Sequence, residues 1–453
     1  MLEPGAYHLV GVAGVGMSAL AQVFLAKHCT VSGCDRVADA GARLPVLDKL
    51  RAAGVRLHAE DGSGISPSTR GVVVSTAIED DNPERARARA LGIPVLHRAE
   101  ALAALADGHP TVAVTGASGK STVTGMTGWI LEALGADPFV VNGAPVINWR
   151  DERRIGNVRP SADPAGLWLF EADESDRSLL RFRPDWALIT NLSRDHFELD
   201  ETRRLFARFE ARVSRGVVNM AAEADALRIL AVASTPAGSR FDYGGQTFEL
   251  RLPGRHNAEN ALCAVRLCER LGYPLPDIAR ALRGFAGIER RLERIGAAGG
   301  VAVIDDYAHN PAKIRASWQA LAERHGRLRA AWRPHGYGPL RTLMDELIEV
   351  FSRIVRPDDR LFVLPVYDAG GTADRSVQAN RLTDALAVRG CPAALLPGDI
   401  NTAAARLADD ARPGDAVLVM GARDPALPRL ARAVLDRLQR SAGLAGTTMP
   451  HRK

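Results

Sequence analysis

The stretch Thr111 to Thr124, TVAVTGASGKSTVT, carries the residue types that hold a phosphate: an apolar run, a glycine turn, then Lys120 and Ser121. Val112 to Val114 read as a buried strand, and the residues after Gly119 open a helix. Thr115, Gly116, Ala117, Ser118, Gly119 and Thr122 then surround a turn that aims backbone N–H groups and a helix N-terminus at one spot. A lysine there reaches β/γ-phosphates, and a hydroxyl beside it suits Mg²⁺. The spacing G-x-x-G-K-S meets the general phosphate-loop pattern only in part, because Val114 stands where its first glycine belongs. The bare alternative is a strand-to-helix turn with a surface lysine. The chain has only five lysines, Lys27, Lys49, Lys120, Lys313 and Lys453, so one in this context favours the nucleotide reading.

Other chemistry-bearing residues follow in order. Trp168 to Glu174, WLFEADE, reads as a buried strand ending in Glu171, Asp173 and Glu174, carboxylates placed where a hard Mg²⁺ ion finds ligands. His196 is a second candidate metal ligand, although a lone histidine of this kind is more often a structural hydrogen-bonder. Asn257 and Asn260, three apart on a helix, either read a base edge or cap that helix. Nearer the start, Gly11-Val12-Ala13-Gly14-Val15-Gly16 follows a strand, and Asp35 closes the next one. That pattern is close to a dinucleotide fingerprint with its second glycine changed to Ala13, so a pyrophosphate or nucleotide fits without requiring NAD. An unliganded tight turn is the alternative. Ile304 to Pro311, IDDYAHNP, ends a later strand in charged and aromatic groups.

The elements that must position these groups alternate. HLVGV, a helix from about Met17, TVSGCD, a helix over Leu44 to Ala53, VRLH and GVVVST predict a parallel sheet covered by helices. LADGHP (105–110) has linker composition, and the phosphate-loop strand begins straight after it. A second parallel sheet is expected from Val301–Ile304, Leu328–Trp332, Arg360–Leu364 and Ala416–Met420, and residues 441–453 read as a mobile tail. The fold class is therefore α/β in three domains, 1–107, 108–290 and 291–453, which suits a length of 453 residues. The 58 lysines and arginines barely exceed the 53 aspartates and glutamates and form no basic block, so nucleic-acid binding is not suggested. Five cysteines without a C-x-x-C pair read as buried free thiols. No apolar run reaches the roughly 18 residues of a spanning helix, so no membrane partner and a cytoplasmic location are expected.

The order of these motifs resembles the Mur ligases, the ATP-dependent amide-forming family of peptidoglycan synthesis. The resemblance rests on HLVGVAGVGMSALA (8–21), VVVSTAIEDDNPE (72–84), the phosphate loop, FEADESD (170–176), TNLSRDHFE (190–198), LPGRHNAENA (252–261), ERRLE (289–293) and DDYAHNP (305–311). It implies an N-terminal Rossmann-like domain for a UDP-sugar, a central phosphate-loop ATPase domain, and a Rossmann-like C-terminal domain that closes and admits the amino acid. It implies ATP and Mg²⁺, UDP-N-acetylmuramate and an amino acid, L-alanine in the branch most resembled, and a monomer or homodimer. By the same resemblance Lys120 holds the β/γ-phosphates, Ser121 and Glu171 the first Mg²⁺, and His196 a second. Asn257 and Asn260 contact adenine, and Arg291 and Asp306 approach ATP from the third domain. Gly14, Gly16, Met17 and Ser18 cradle the UDP pyrophosphate, with Asp35, Ser75 and Thr76 lining the nucleotide pocket.

The chain departs from the pattern mainly in the third domain. The alanine-adding branch typically reads D-D-Y-x-H-H-P-T-E, where this chain has Asn310 for the second histidine and Lys313 for the glutamate. Its P-H-R-Y-T-R-T is here Pro334-His335-Gly336-Tyr337-Gly338-Pro339-Leu340, and two late turns carry Gly371 and Arg423. His309, His335, Tyr337 and Arg375 remain as motif-matched residues for the incoming substrate. The chain has no lysine between Lys120 and Lys313. Later-acting Mur ligases use a carbamylated lysine there, so its absence favours the alanine-adding branch. A ligase joining another amino acid or a preformed peptide stays open. A nucleotide-binding relative that no longer ligates is disfavoured because Lys120, Ser121, Glu171 and His196 are all present.

Overall fold

The computed structural model describes residues 2–41, 43–192, 198–223, 231–368 and 374–446. These divide into two compact units. One comprises 1–232, 240–251 and 259–289, and the other 233–239, 252–258 and 290–453.

The first unit contains two sheets. One is built from β1 (Ala6–Val10), β2 (Thr30–Cys34), β3 (Arg56–His58), β4 (Thr69–Val74) and β5 (Val95–His97), in the order β3-β2-β1-β4-β5. Every pairing in it is parallel. Strand order reverses at β1, so the turn after β1 opens at the crevice where α/β sheets take ligands. The other sheet has β6 (Thr111–Thr115), β7 (Phe139–Val141), β8 (Val158–Arg159), β9 (Trp168–Glu171), β10 (Trp186–Ile189) and β11 (Gly216–Asn219), in the order β11-β10-β6-β9-β7-β8. All five residues of β6 are buried, as a strand covered on both faces requires. Its start is pinned by Asp185, whose Oδ2 accepts from Thr111 N (2.9 Å) while Oδ1 accepts from Ser214 Oγ (3.0 Å). A small sheet of β12 (Val232–Thr235), β13 (Gly238–Tyr243) and β14 (Gln246–Leu250) follows.

The second unit carries β15 (Glu293–Ala298), β16 (Val301–Asp306), β17 (Leu328–Trp332), β18 (Arg360–Val363), β19 (Ala393–Leu395) and β20 (Ala416–Met420), in the order β15-β16-β20-β17-β18-β19. The four expected strands, β16, β17, β18 and β20, pair in parallel as read from the sequence; β15, which was not expected, adds at the edge antiparallel to β16. It joins through the short Gly299-Gly300 turn, a connection too brief for a parallel crossover. The tail reading is corrected. A helix spans Ala426–Gly446 and buries Leu427, Leu430, Ala431, Val434 and Leu438. Only 447–453 of the segment read as mobile lie outside the described residues.

The five cysteines are buried free thiols, as expected. Among the described residues no helix is long and apolar enough to cross a membrane.

Candidate active site

The phosphate loop leaves β6 at Thr115 and enters the helix Lys120–Ala133 through Gly119, which sits in the left-handed region at φ 82°. A β-carbon at Gly119 would stand 2.2 Å from Asn260 Oδ1, so glycine is required for both backbone and space. The loop is held from β10. Thr190 Oγ1 donates to Ser118 O (2.7 Å), Asn191 Nδ2 to the same carbonyl (2.9 Å), and Ser118 N to Asn191 Oδ1 (3.0 Å). The conformation is thus fixed by neighbouring strands, while the first-turn N–H groups of the helix have no carbonyl within it to bond.

Lys120 Nζ donates to Glu174 Oε2 at 2.6 Å and to Gly116 O at 2.9 Å, with Asp173 Oδ1 at 3.8 Å. Burial pulls the ammonium down, but Glu174, Asp173 and Glu171 outweigh it and hold Lys120 above its ordinary value. Burial pushes Glu174 up, against the pull of Lys120. At 2.6 Å the contact is that of a charged pair. Glu171, the last residue of β9, accepts from Gly143 N at 2.9 Å. Ser121 is buried in the first helical turn.

The structure therefore brings together residues 115–122, Glu171 and Asn260; it turns the candidate carboxylates Glu174 and Asp173 toward Lys120, and it adds Thr190 and Asn191, which carried no assigned role. The buried Thr115 Oγ1 and Glu174 Oε1 have no hydrogen-bond partner. Orphaned hard oxygen donors beside Ser121 and Glu171 are the chemistry that suits Mg²⁺. His196 lies outside the described residues.

At the other turn, Asp35 does two jobs. Its Oδ2 accepts from Ala13 N (3.0 Å) and its Oδ1 caps the next helix through Val37 N (3.1 Å). Gly11 N and Val12 N both donate to Cys34 O. Gly14 is the N-cap of the helix Val15–Ala26, with no side-chain cap, so Gly16 and Met17 present first-turn amides. Ser18 is buried, its hydroxyl donating to Val15 O (3.0 Å) and accepting from Asn157 Nδ2 (3.2 Å). Ser75 closes β4, and Thr76 after it is exposed.

Arg98 had not been singled out. Its guanidinium lies 3.4 Å from where a β-carbon on Gly16 would stand, and Nη2 is 3.2 Å from Asp176 and 3.7 Å from Asp173. It thus spans from the first glycine turn to the acidic loop that holds Lys120. Its signal in the sequence was an arginine directly after a short strand, at the carboxyl edge of the sheet.

In the second unit, Asp306 is buried and fully engaged. It accepts from Leu292 N (2.6 Å), Ala308 N (2.7 Å) and Ser317 Oγ (3.1 Å). Its carboxylate fixes the turn that presents Arg291, whose guanidinium lies 5.7 Å from the Tyr307 ring centroid. Asn257, which read as a base-reader or a cap, donates to Pro253 O at 2.8 Å. The His309 and His335 rings meet edge to face at 4.8 Å. Burial, with the positive fields of Arg423 and Lys313 added, holds His335 below its ordinary value. Arg375 pairs with Asp368 at 2.7 Å and lies 6.0 Å from the Tyr337 ring centroid. Asn310 serves as N-cap of the helix Pro311–Ala322, accepting from Lys313 N at 3.0 Å.

Two nucleotide-type turns at strand carboxyl ends, one with a lysine–carboxylate pair suited to ATP, define an ATP-using α/β enzyme class. The comparisons give the family. Models of the Mur ligase family match at 6–110 (catalytic domain), 114–211 (middle domain) and 290–423 (glutamate ligase domain). A UDP-N-acetylmuramate–L-alanine ligase of a Synechococcus strain is 36% identical over 84% of this chain and 82% of its own length. A Mycolicibacterium vanbaalenii protein of the same name is 34% identical over 96% of both chains. The Thermotoga maritima UDP-N-acetylmuramate–alanine ligase superposes with TM-score 0.79 at 24% identity, over 96% of this chain and all of that one. This chain belongs to the Mur ligase family.

Proposed function

We propose that the chain joins L-alanine to the carboxylate of UDP-N-acetylmuramate, using ATP, in cytoplasmic peptidoglycan precursor synthesis. The observation that carries the reading is the Lys120 ammonium, seated among Gly116 O and Glu174 at the mouth of a helix N-terminus. Relatives of that name, matched over most of their length, supply the substrate. Residues 1–107, 108–290 and 291–453 then serve as UDP-sugar, ATP and amino-acid domains.

A carboxylate and an amine do not condense in water unaided. Transfer of the γ-phosphoryl group gives an acyl phosphate with a good leaving group, and the amine displaces phosphate. Lys120 exchanges Glu174 for the β/γ-phosphates, and the first-turn amides of its helix take phosphate oxygens. Glu174 and Asp173 keep the ammonium charged and aimed until ATP arrives. Asn260 takes the adenine side, with Asn257. The amides of Gly16 and Met17 face the UDP pyrophosphate, and Asp35 holds that turn in shape. Ser121 and Glu171 would hold Mg²⁺, with His196 at a second ion; bound there, Mg²⁺ supplies neutralisation of phosphate charge. Positioning and electrostatic stabilisation carry most of the rate.

The test is phosphate release with ATP, Mg²⁺ and UDP-N-acetylmuramate across the amino acids and short peptides. Selective turnover with L-alanine is expected. Preference for a peptide or another amine would move the acceptor, and no release with any acceptor would overturn the ligase reading.

A further inference from the structure

Beneath the first glycine turn lies a cluster that the ligase chemistry does not use. His8 on β1, Cys34 at the end of β2 and Glu84 on the helix Pro83–Ala90 are all buried, His8 and Glu84 completely. A ring nitrogen of His8, Cys34 Sγ and a Glu84 carboxylate oxygen lie within 4.8 Å of one another.

The surrounding bonds say which electrons point inward. His8 Nδ1 is 2.8 Å from Ser32 Oγ, and the Ser32 hydroxyl has Tyr7 O as its own acceptor at 3.5 Å. In the tautomer whose Nδ1–H donates to Ser32, Nε2 is left as a bare lone pair. Glu84 Oε1 is taken by Gly62 N (2.9 Å), so Oε2 faces Nε2 at 3.3 Å. Neither His8 Nε2 nor Glu84 Oε2 has a hydrogen-bond partner, although both are fully buried. Gly64 makes room for the ring, because a β-carbon there would stand 2.5 Å from His8 Cε1. A further oxygen, Glu60 Oε2, lies 4.0 Å from Cys34 Sγ, and the other Glu60 oxygen is held by Asn82 and Arg36.

In that tautomer, lone pairs of nitrogen, sulfur and oxygen converge in the interior and call for an electrophile between them, either a proton or a metal ion. We propose that His8, Cys34 and Glu84, with Glu60 as the nearest fourth donor, form a structural zinc-type site. The donor set is that of Zn²⁺ or Co²⁺ rather than of Mg²⁺. Tetrahedral zinc, with bonds of about 2.0–2.3 Å, holds its donors about 3.3–3.8 Å apart, so the side chains need only a modest contraction. The ion ties β1, β2 and the helix Pro83–Ala90 together. Cys34 O is also the acceptor for Gly11 and Val12, so the site braces the glycine turn from below.

The full chain, produced in zinc-depleted medium supplemented with cobalt, tests this by metal content and absorption spectroscopy. One equivalent of tightly held Co²⁺ with a sulfur-to-cobalt charge-transfer band is expected. Cys34→Ser loses that band, and Glu84→Gln keeps the band but loads less metal. A folded wild-type protein free of cobalt and zinc, or a band that survives Cys34→Ser, overturns the site and leaves a proton-bridged pair. The wild-type measurement decides even if a variant fails to fold. Neither readout depends on ligase turnover, so it stands apart from the function proposed above.

Discussion

The Lys120–Glu174 contact gives the site its electrostatics and gives a mutation two separable effects. Lys120→Ala removes the phosphate-binding ammonium, and a loss of turnover beyond about a hundredfold is expected. It also strands a carboxyl group whose side chain is only 3% exposed. Burial already raises the Glu174 pKa, and Lys120 is what opposes that rise. Without Lys120 the folded-state pKa climbs further above the unfolded value, so the protonated acid is tolerated and the carboxylate is penalised. The variant should therefore melt close to wild type near pH 5 and fall behind as pH rises, by up to about 3 kcal/mol at pH 8. Lys120→Met combined with Glu174→Gln should recover the melting temperature at pH 8 but no activity. Equal deficits at both pH values would remove the buried-charge explanation. The strand–turn–helix that carries Lys120 and Ser121 was legible because a phosphate loop is local: one strand, one turn, one helix start. The pairing of Glu174 with Lys120, and the parts played by Asn191 and Arg98, were not, because they depend on which strands lie beside β6 and β1, and sequence spacing does not say that.

Long apolar strands were legible as runs of buried residues, since both faces of a parallel sheet are covered. β5, β7 and β8 are two or three residues long and carry too little pattern to be seen, and β15 is an edge strand ending in small residues. The end of the final helix was misread as tail because residues 441–446, SAGLAG, are mostly small, although Leu427, Leu430, Ala431, Val434 and Leu438 before them keep a helical spacing. Position also depends on single bonds between elements. Asp185, just before β10, ties down the first residue of β6, and so sets where the phosphate loop emerges. Burial raises its pKa, but the donors Thr111 N, Ser214 Oγ and Thr111 Oγ1, with the charge of Arg215, bring it below the ordinary carboxylate range. A lowered folded pKa stabilises above the unfolded value and loses its effect as pH falls through the folded one. Asp185→Ala should cost about 1–3 kcal/mol at pH 7 by leaving the Thr111 amide unsatisfied. That deficit should shrink below about pH 4 as the wild-type carboxyl protonates. Urea midpoints of the two proteins across pH 3–7 measure it, and a deficit that stays constant would mean that packing, not the ionised carboxylate, is lost.

Across the molecule, the departures from the motif pattern that the sequence resembles fall mainly in the second unit, at Asn310, Lys313 and Arg423 among others. Asn310 replaces a histidine yet keeps its helix capped, so that change is absorbed by the fold. Lys313 and Arg423 are different, because they add positive charge around the His309–His335 pair. His335 itself is held neutral by burial and by those same two charges. Positive potential around His335 in the second unit therefore comes from Lys313 and Arg423 rather than from its own imidazole. On the function proposed above, an incoming amino acid presents a carboxylate, which this positive charge would draw. Lys313→Ala and Arg423→Ala should each raise KM for the amino acid about three- to tenfold, the size of a screened charge contact. KM for ATP and for UDP-N-acetylmuramate should hold steady, and the wild-type KM for the amino acid should rise with ionic strength more steeply than that of either variant. Steady-state kinetics at two salt concentrations separate the cases. Parallel shifts in all three KM values would instead mark these side chains as supports of the domain, with the acceptor's carboxylate bound elsewhere.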